Sequence, residues 1–541
     1  MMNKKILVTC ALPYSNGPIH IGHLLEHIQA DIWVRYQKMN NKFVIFICAD
    51  DTHGTPIMLK ARKMKINPNN LIKKIFHEHL YDLSRFNISY DCYSHTNTKE
   101  NLYFTTKIFS FLKKKGFILE KEILQLYDSQ KNIFLPDRLI RGVCPKCFSD
   151  NQYGDHCEKC GSVYEAADLI NPKSEISNSI PILKKSNHVF FNLSIFQENL
   201  YNWISSGVLN IQVEKKSKEW FEKGLRLWDI SRDSPYFGFK IPGYQNKYFY
   251  VWIDAPICYI STLKVLAKKR KDICFSEFWK NSDTTDLYHF IGKDIVYFHS
   301  LFWPAILEGI NFRKPTGIFV HGHLTINSKK MSKSKNIFIK ASTWLKYFDS
   351  DSLRYYFASK LSSRIQDIDF NIKDFVSKIN TDIVNKIVNL ASRCSGFINK
   401  YFNNMLSKVL LKNTFYHLFL KNTKKIMFFF QKREFSSVIR SVIKYANFAN
   451  NYINNSSPWT LAKYDQHDDK IQLICTMGIN FFRFLMTWLK PITPDLSYRS
   501  ENFLSTNLSF ESLNYPLLNH KILKFHALYK RISVSENFFF K

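Results

Sequence analysis

No stretch of this chain reads as a membrane span: the apolar run 481–489 is short and interrupted by Arg483. A cleavable leader is missing too. Lys4 and Lys5 before the apolar run 6–12 imitate its opening, but Pro13 and His20 follow with no small-residue cleavage pattern. Neither G-x-G-x-x-G nor G-x-x-x-x-G-K-[ST] occurs, which excludes the dinucleotide fingerprint and the Walker loop. Acidic residues are scarce, 45 against 76 basic, for a formal charge of +31 over 541 residues. A polyanionic partner is the natural inference. Lys, Asn, Ile and Phe crowd the whole chain, however, as AT-rich coding produces, so the charge serves only as support. The expectation is a soluble, cytosolic protein with no membrane attachment. Its hydrophobic content of 45% is ample core for several domains. Eleven cysteines, an odd number, are in that compartment thiols or metal ligands rather than disulfides.

What is present is organised around Pro13-Tyr14-Ser15-Asn16-Gly17-Pro18-Ile19-His20-Ile21-Gly22-His23. An apolar run, 6–12, reads as a buried strand before it. Apolar residues at 24, 25, 28, 32, 33 and 36 predict a helix after it, and 43–48 predicts a second strand. The stretch is therefore the turn of a βαβ unit, where nucleotide phosphates usually sit. Gly22 lets backbone approach a ligand, the helix start offers N–H groups to an anion, and His20 and His23 add imidazole donors. Alone, the turn admits a plainer reading, two histidines that cap a helix. A second run, Lys330-Met331-Ser332-Lys333-Ser334, would alone be a solvated basic loop. Two ammonium groups on a loop can stabilise charge on a departing pyrophosphate. Together, and in this order, the pair resembles the two ATP-binding signatures of class I aminoacyl-tRNA synthetases.

The chain divides as follows. Residues 1–112 form the first half of a doubly wound α/β (Rossmann-like) domain, with Asp51 after the second strand as a candidate partner for a substrate ammonium. One of Asp50 and Asp51 is expected to cap the next helix. Residues 113–228 form an insertion carrying Cys144-x-x-Cys147 and Cys157-x-x-Cys160, two close pairs that suit a structural tetrahedral zinc with no open position. His156 beside them is read as a bystander. Residues 229–320 return to the doubly wound pattern. There 248–253 alternates as a strand, and a helix starts at 295 towards Trp303. Trp252, Tyr259 and His299 fall near element ends that face the crevice. Residues 321–380 hold the lysine loop and a connecting fold, and 381–541 an all-α helical bundle. Within it Ile383, Ile387, Leu390, Cys394 and Phe397 make a buried stripe. Asn385, Asn389 and Arg393 share another face, with the amide and guanidinium groups that read unstacked RNA bases, and Trp459 supplies an aromatic.

The resemblance then narrows. Ala11-Leu-Pro-Tyr-Ser-Asn-Gly-Pro-Ile-His20, Cys48-Ala-Asp-Asp51, Trp228-Asp-Ile-Ser-Arg232, Tyr250-Val-Trp-Ile-Asp-Ala-Pro256 and His289-Phe-Ile-Gly-Lys-Asp294 are similar to the methionyl-tRNA synthetases, nearly from end to end. The resemblance implies ATP-dependent activation of L-methionine and its transfer to the 3′ end of tRNA(Met), initiator and elongator. It implies ATP contacts, with Mg²⁺, at His20, Gly22, His23, Glu26, Gly292, Asp294 and Lys333, catalysis by His20, His23, Lys330 and Lys333, and ribose binding by Asp294. It matches a methionine pocket to Leu12, Tyr14, Asp51, Trp252, Ala255, Pro256, Tyr259, Ile295 and His299, and anticodon reading to Asn389, Arg393 and Trp459. Two departures set expectations. The extra C-terminal dimerisation domain of many bacterial relatives is missing, so a monomer is expected. No large insertion for a separate editing site is present, so any proofreading would fall to the synthetic pocket.

Overall fold

The first fifty residues fold into β1 (Lys5–Cys10), α1 (Ile21–Met39) and β2 (Val44–Asp50). The computed structural model describes residues 4–533 except 155, 156, 158, 161, 163, 281, 282, 328, 331–337 and 466–468, with 329 and 330 by backbone alone. Every residue of β2 is buried, and every one of β1 after Lys5, which is why both read as unbroken apolar runs. Five parallel strands make the central sheet, in the order Gly317–His321, Thr285–Gly292, β1, β2, β3 (Cys92–His95). The winding reverses beside β1, whose Thr9 lies opposite His289, 280 residues later. Such a reversal leaves a crevice at the carboxyl ends of the two strands.

Successive side chains feed two separate cores. Val8, Cys10, Phe46 and Phe290 pack with α1 on one face. Leu7, Ile45, Ile47, Leu287 and Ile291 face the other, against the helices Lys99–Lys114 and Val251–Lys269. The insertion is built on a long antiparallel pair, Ile118–Asp128 with Ile182–Phe191, and the cysteine pairs lie by a small sheet of Gln152–Tyr153, Ile140–Val143 and Ile170–Ser174. After the strand Ile368–Phe370 every regular element among the described residues is helical.

Three sequence expectations need correction. The 248–253 stretch is not one strand. Only Lys247–Phe249 is extended, and the helix Val251–Lys269 begins within the alternation, with Pro256 inside it. Neither Asp50 nor Asp51 caps the following helix, Thr55–Lys63, whose N-cap is Gly54 with no side-chain bond. Asp50 is instead taken by His79 Nδ1 at 2.8 Å and by the Tyr93 hydroxyl. The apolar run at 481–489 belongs to the longer helix Asp469–Leu489, which by length and composition is able to cross a bilayer. Almost all of it is buried in the bundle, and its Arg483 donates to the carbonyls of Tyr515 and Ser512 at 2.7 and 2.6 Å. The predicted stripe is real for Ile383, Ile387, Leu390 and Cys394, all fully buried, while Phe397 is half-buried and Ile398 takes its place in the core.

One buried ion pair ties the helical half to the sheet. Arg354, on the helix Ser350–Lys360, donates to Asp31 Oδ2 on α1 at 2.6 Å and to the carbonyls of Ile492, Pro491 and Phe86 at 2.8, 3.0 and 3.2 Å. Asp31 also holds Arg35 Nε at 2.7 Å and both donors of Ser89.

Candidate active site

A cavity of about 600 Å³ opens where the sheet reverses. One side is the start of α1, with His20, Gly22, His23 and Glu26; the other is the turn after Thr285–Gly292, with Gly292, Asp294 and Ile295; Leu12 and Tyr14 border it as well. His20 is the N-cap of α1, and its Nδ1 accepts the N–H groups of Gly22 and His23 at 3.1 and 3.3 Å. His23 Nδ1 accepts the His20 N–H at 3.4 Å, and the two rings stack at 3.7 Å. An imidazole that accepts through Nδ1 carries its proton on Nε2, so each neutral ring keeps a donor suited to an anion. Capping through Nδ1 and donation through Nε2 are therefore compatible in the same rings.

Glu26 braces the two sides of the crevice. Its Oε1 accepts the Ala11 N–H at 2.7 Å, and Oε2 faces His321 Nε2 at 3.3 Å. His321 Nδ1 donates to the Gly322 carbonyl at 2.7 Å, so the Glu26–His321 contact needs one shared proton. Burial pushes the Glu26 carboxyl up and favours that sharing. Asp294 is largely exposed, and His323 Nε2 lies 3.1 Å from its carboxylate. His27, His321, Gly322, His323 and Phe338 also line the cavity, and sequence reading missed them. The signal was present at 321–323, where His-Gly-His leaves the carboxyl end of the last parallel strand.

Of the nine methionine-pocket candidates, Leu12, Tyr14 and Ile295 border this cavity, and the other six do not. Asp51 is bridged to Tyr14 by backbone pairing, and its Oδ1 is buried with no partner among the described residues. Burial, then the neighbouring Asp254, push its carboxyl well above the usual range. Asp254 holds His53 Nδ1 at 2.5 Å, and its Oδ1 has no partner among the described residues. Gly54 closes the turn at φ +114°, and a Cβ there would meet the Tyr14 hydroxyl at 2.8 Å, so only glycine fits. His299 Nδ1 donates to the Ile295 carbonyl at 3.1 Å, which leaves Nε2 to accept from the Tyr259 hydroxyl at 3.0 Å. Burial lowers the His299 pKa to about 4, so this pair is neutral. Trp252 lies 5.5 Å from Trp228 and 5.6 Å from Phe298, ring to ring; Ala255 and Pro256 follow it in the same helix.

Lys333 lies outside the described residues, and Lys330 is described by backbone alone, paired with Thr325. Beyond the lysine loop the chain docks onto the histidine turn. Phe338 meets the His20 ring edge-on at 4.9 Å, Ile21 N–H donates to the Ile339 carbonyl at 3.0 Å, and Ala341 N–H to that of Ile19 at 2.9 Å.

Elsewhere the structure gathers two further sets. The Sγ atoms of Cys144, Cys147, Cys157 and Cys160 all lie within 4.8 Å of one another, with Cys144–Cys160 at 3.8 Å and Cys147–Cys157 at 3.5 Å. Sulfurs 2.3 Å from one tetrahedral zinc would be about 3.8 Å apart, so the four could hold such an ion. His156 and Gly161 lie outside the described residues. In the bundle Arg393 reaches Asn454 Oδ1 at 2.7 Å and lies 4.7 Å over the Trp459 ring, with Asn389 exposed one turn earlier.

A family described as "tRNA synthetases class I (M)" matches residues 6–395. Methionine–tRNA ligase of Buchnera aphidicola subsp. Acyrthosiphon pisum (strain Tuc7) is 57% identical over 537 residues, 99% of this chain and 98% of that one. The ligase of the same name from Buchnera aphidicola subsp. Schizaphis graminum is 58% identical over 530 residues, 98% and 97% of the two chains. Among solved structures, the fold is that of Mycobacterium tuberculosis methionyl-tRNA synthetase bound by methionyl-adenylate, with TM-score 0.80, 19% identity, and 97% and 100% of the two chains covered. Its apo form superposes with TM-score 0.73 at 19% identity, covering 98% and 99%.

Proposed function

This chain belongs to the methionine group of class I tRNA synthetases, and from that premise we propose how its residues divide the reaction. The enzyme activates L-methionine with ATP to methionyl-adenylate and attaches the methionyl group to tRNA. The methionine carboxylate attacks the α-phosphorus and pyrophosphate leaves; the terminal adenosine hydroxyl of the tRNA then attacks the methionyl carbonyl carbon, and AMP leaves as the anhydride bond breaks. No side chain forms a covalent bond, so positioning and electrostatic stabilisation carry the rate. One observation supports this reading above others: residues of the ATP set and of the methionine set border a single cavity at the reversal of the sheet.

In this assignment the Nε2–H donors of His20 and His23 meet the phosphates of Mg-ATP, and the ammonium groups of Lys330 and Lys333 join them as pyrophosphate leaves. Gly22 permits close approach of the α1 start, and Asp294 binds the ribose hydroxyls. Glu26, braced between Ala11 and His321, fixes the spacing of the walls. Asp51 pairs with the substrate ammonium. Leu12, Tyr14, Trp252, Ala255, Pro256 and Ile295 surround the side chain, aromatic faces suiting a polarizable thioether. The neutral Tyr259–His299 pair gives a charged side chain nothing to pair with. The labour follows the segments 1–112, 113–228, 229–320, 321–380 and 381–541, and the work belongs to translation in the cytoplasm. Exchange of labelled pyrophosphate into ATP, run with each of the twenty amino acids without tRNA, tests the assignment. Methionine alone should support it; exchange with a different amino acid would retain the fold and reject the pocket.

Two roles lie away from the chemistry. Cys144, Cys147, Cys157 and Cys160 would hold one structural zinc, which gives the tip of the insertion a cross-link and no reactive position. Purified protein should carry one equivalent of zinc by elemental analysis, and Cys157→Ser should lose it. Zinc-free protein with an unchanged melting profile would reject that role. Asn389, Arg393 and Trp459 would read the anticodon, with the indole stacking on a base and the guanidinium and amide bonding to base edges. Arg393→Ala should then lower charging roughly 5- to 150-fold, about 1–3 kcal/mol of lost base contact, and leave pyrophosphate exchange unchanged. Equal loss of both activities would make the helix a mere support.

A further inference from the structure

A second cavity of about 600 Å³ adjoins the first, with Asp294 as a wall common to both. It is bordered by Val213, Lys216, Ser217 and Trp220 of the helix Ile211–Glu222, and by Lys293 and Tyr297 on the stretch after Gly292. Nothing in the activation step uses it. We propose that this cavity takes the single-stranded 3′ end of the tRNA, the nucleotides just before the terminal adenosine. The inference rests on the function proposed above and deepens it.

Place, chemistry and charge converge on that occupant. The sharing of Asp294 puts the cavity beside the nucleotide end of the active site. A chain of rings leads from it to the methionine end: Trp220 to Tyr297 at 4.7 Å, Tyr297 to Trp228 at 5.5 Å, and Trp228 to the pocket candidate Trp252 at 5.5 Å. A strand end that must deliver its last hydroxyl to the adenylate has to lie in such a position. Trp220 and Tyr297 are both half-buried, the state of a ring with a face left for a base, and base stacking tolerates any base. Ser217 is one of the wall residues; it is fully buried, and its hydroxyl has no hydrogen-bond partner among the described residues. A buried hydroxyl without a partner is costly, and a ribose or phosphate oxygen would relieve it. Lys216 is exposed at the rim, and Lys293, held by Asp367 at 2.6 Å, stands opposite. Lys293 is already paired with Asp367 and Asp294 adds a carboxylate, so Lys216 is the rim charge that meets a polyanion's backbone, with the overall charge of +31 as support.

The test uses the full-length enzyme, with its own tRNA intact or shortened by the 3′-terminal nucleotides. Trp220→Ala should lower kcat/KM for tRNA in charging about 5- to 150-fold, the loss expected for one stacked base, while methionine-dependent pyrophosphate exchange stays within about twofold. Trp220→Phe should restore most of it. Lys216→Ala should weaken binding of intact tRNA less, flatten its salt dependence, and leave binding of the shortened tRNA unchanged. Normal charging by both alanine variants would overturn the inference, as would an equal loss of exchange and charging in Lys216→Ala. Wild-type enzyme with no methionine-dependent exchange would overturn the underlying reading instead, so the two failures are told apart.

Discussion

Asp51→Asn is expected to lower kcat/KM for methionine in pyrophosphate exchange roughly 30- to 3,000-fold, with little change in KM for ATP. The range is that for truncating one partner of a buried charge pair, about 2–5 kcal/mol at 1.4 kcal/mol per tenfold. The structure gives a reason to expect a large effect. Without substrate, burial and Asp254 drive the Asp51 carboxyl towards its protonated form, and its buried Oδ1 has no partner among the described residues. An arriving ammonium is the compensation the site lacks. Only the carboxylate pairs with the ammonium, and the pKa of the free enzyme's group is raised. Methionine binding should therefore weaken as pH falls below that raised value and strengthen as pH rises through it, until the substrate amine itself loses its proton. Asp51→Asn should flatten that rise. An asparagine variant with wild-type KM and the wild-type pH profile would remove Asp51 from the pocket.

Arg354→Leu should destabilise the protein by about 3–5 kcal/mol, the cost of breaking a buried pair, because Arg35 and Ser89 still hold Asp31 but the bonds across to the helical half are gone. The arginine is fully buried and gives up four bonds at once, one to Asp31 and three to carbonyls from other parts of the chain. Arg354→Lys should recover little, because an ammonium cannot replace the planar fork. Replacing both members, Asp31→Asn with Arg354→Leu, should be less costly than the sum of the singles. Burial raises the Asp31 pKa, but Arg35, Arg354 and Ser89 overcome it and hold the group down at about 2, against 3.8 for an ordinary aspartate. A depressed carboxylate pKa adds stability that is present above the unfolded value and is lost as pH falls from about 4 to about 2. That contribution is worth about 2 kcal/mol. Urea midpoints across pH 2–7 read both effects; a single-variant loss below about 1 kcal/mol would deny the staple its role.

The parts of the fold that the sequence disclosed are those held by local rules. β1 and β2 were legible because strands buried on both faces are apolar without interruption, and the cysteine cluster because ligand spacing is itself the geometry. The Tyr-Phe-Tyr-Val-Trp-Ile stretch misled because its residues favour strands, while tertiary packing of Ile253, Ile257 and Ile260 against the sheet makes helix from Val251 onward. Asp50 was misread because its partners, His79 and Tyr93, come from distant elements. His79 also donates from Nε2 to the Gly17 carbonyl at 2.7 Å, so it anchors the histidine turn, a role no local pattern discloses. The Glu26–His321 brace spans 295 residues and was invisible for the same reason.

The central position of β1 has a consequence for synthesis. Its partner on one side, β2, follows at once, but the strand on the other side is completed only at Gly292. While a ribosome adds the intervening residues, at about 5–20 per second, the inner edge of β1 waits unpaired for on the order of tens of seconds. An unpaired apolar edge is a template for wrong pairing with other nascent chains. Slow translation, or a destabilised insertion that delays the return of Thr285–Gly292, should thus show first as aggregation during expression, in molecules whose finished fold would be sound.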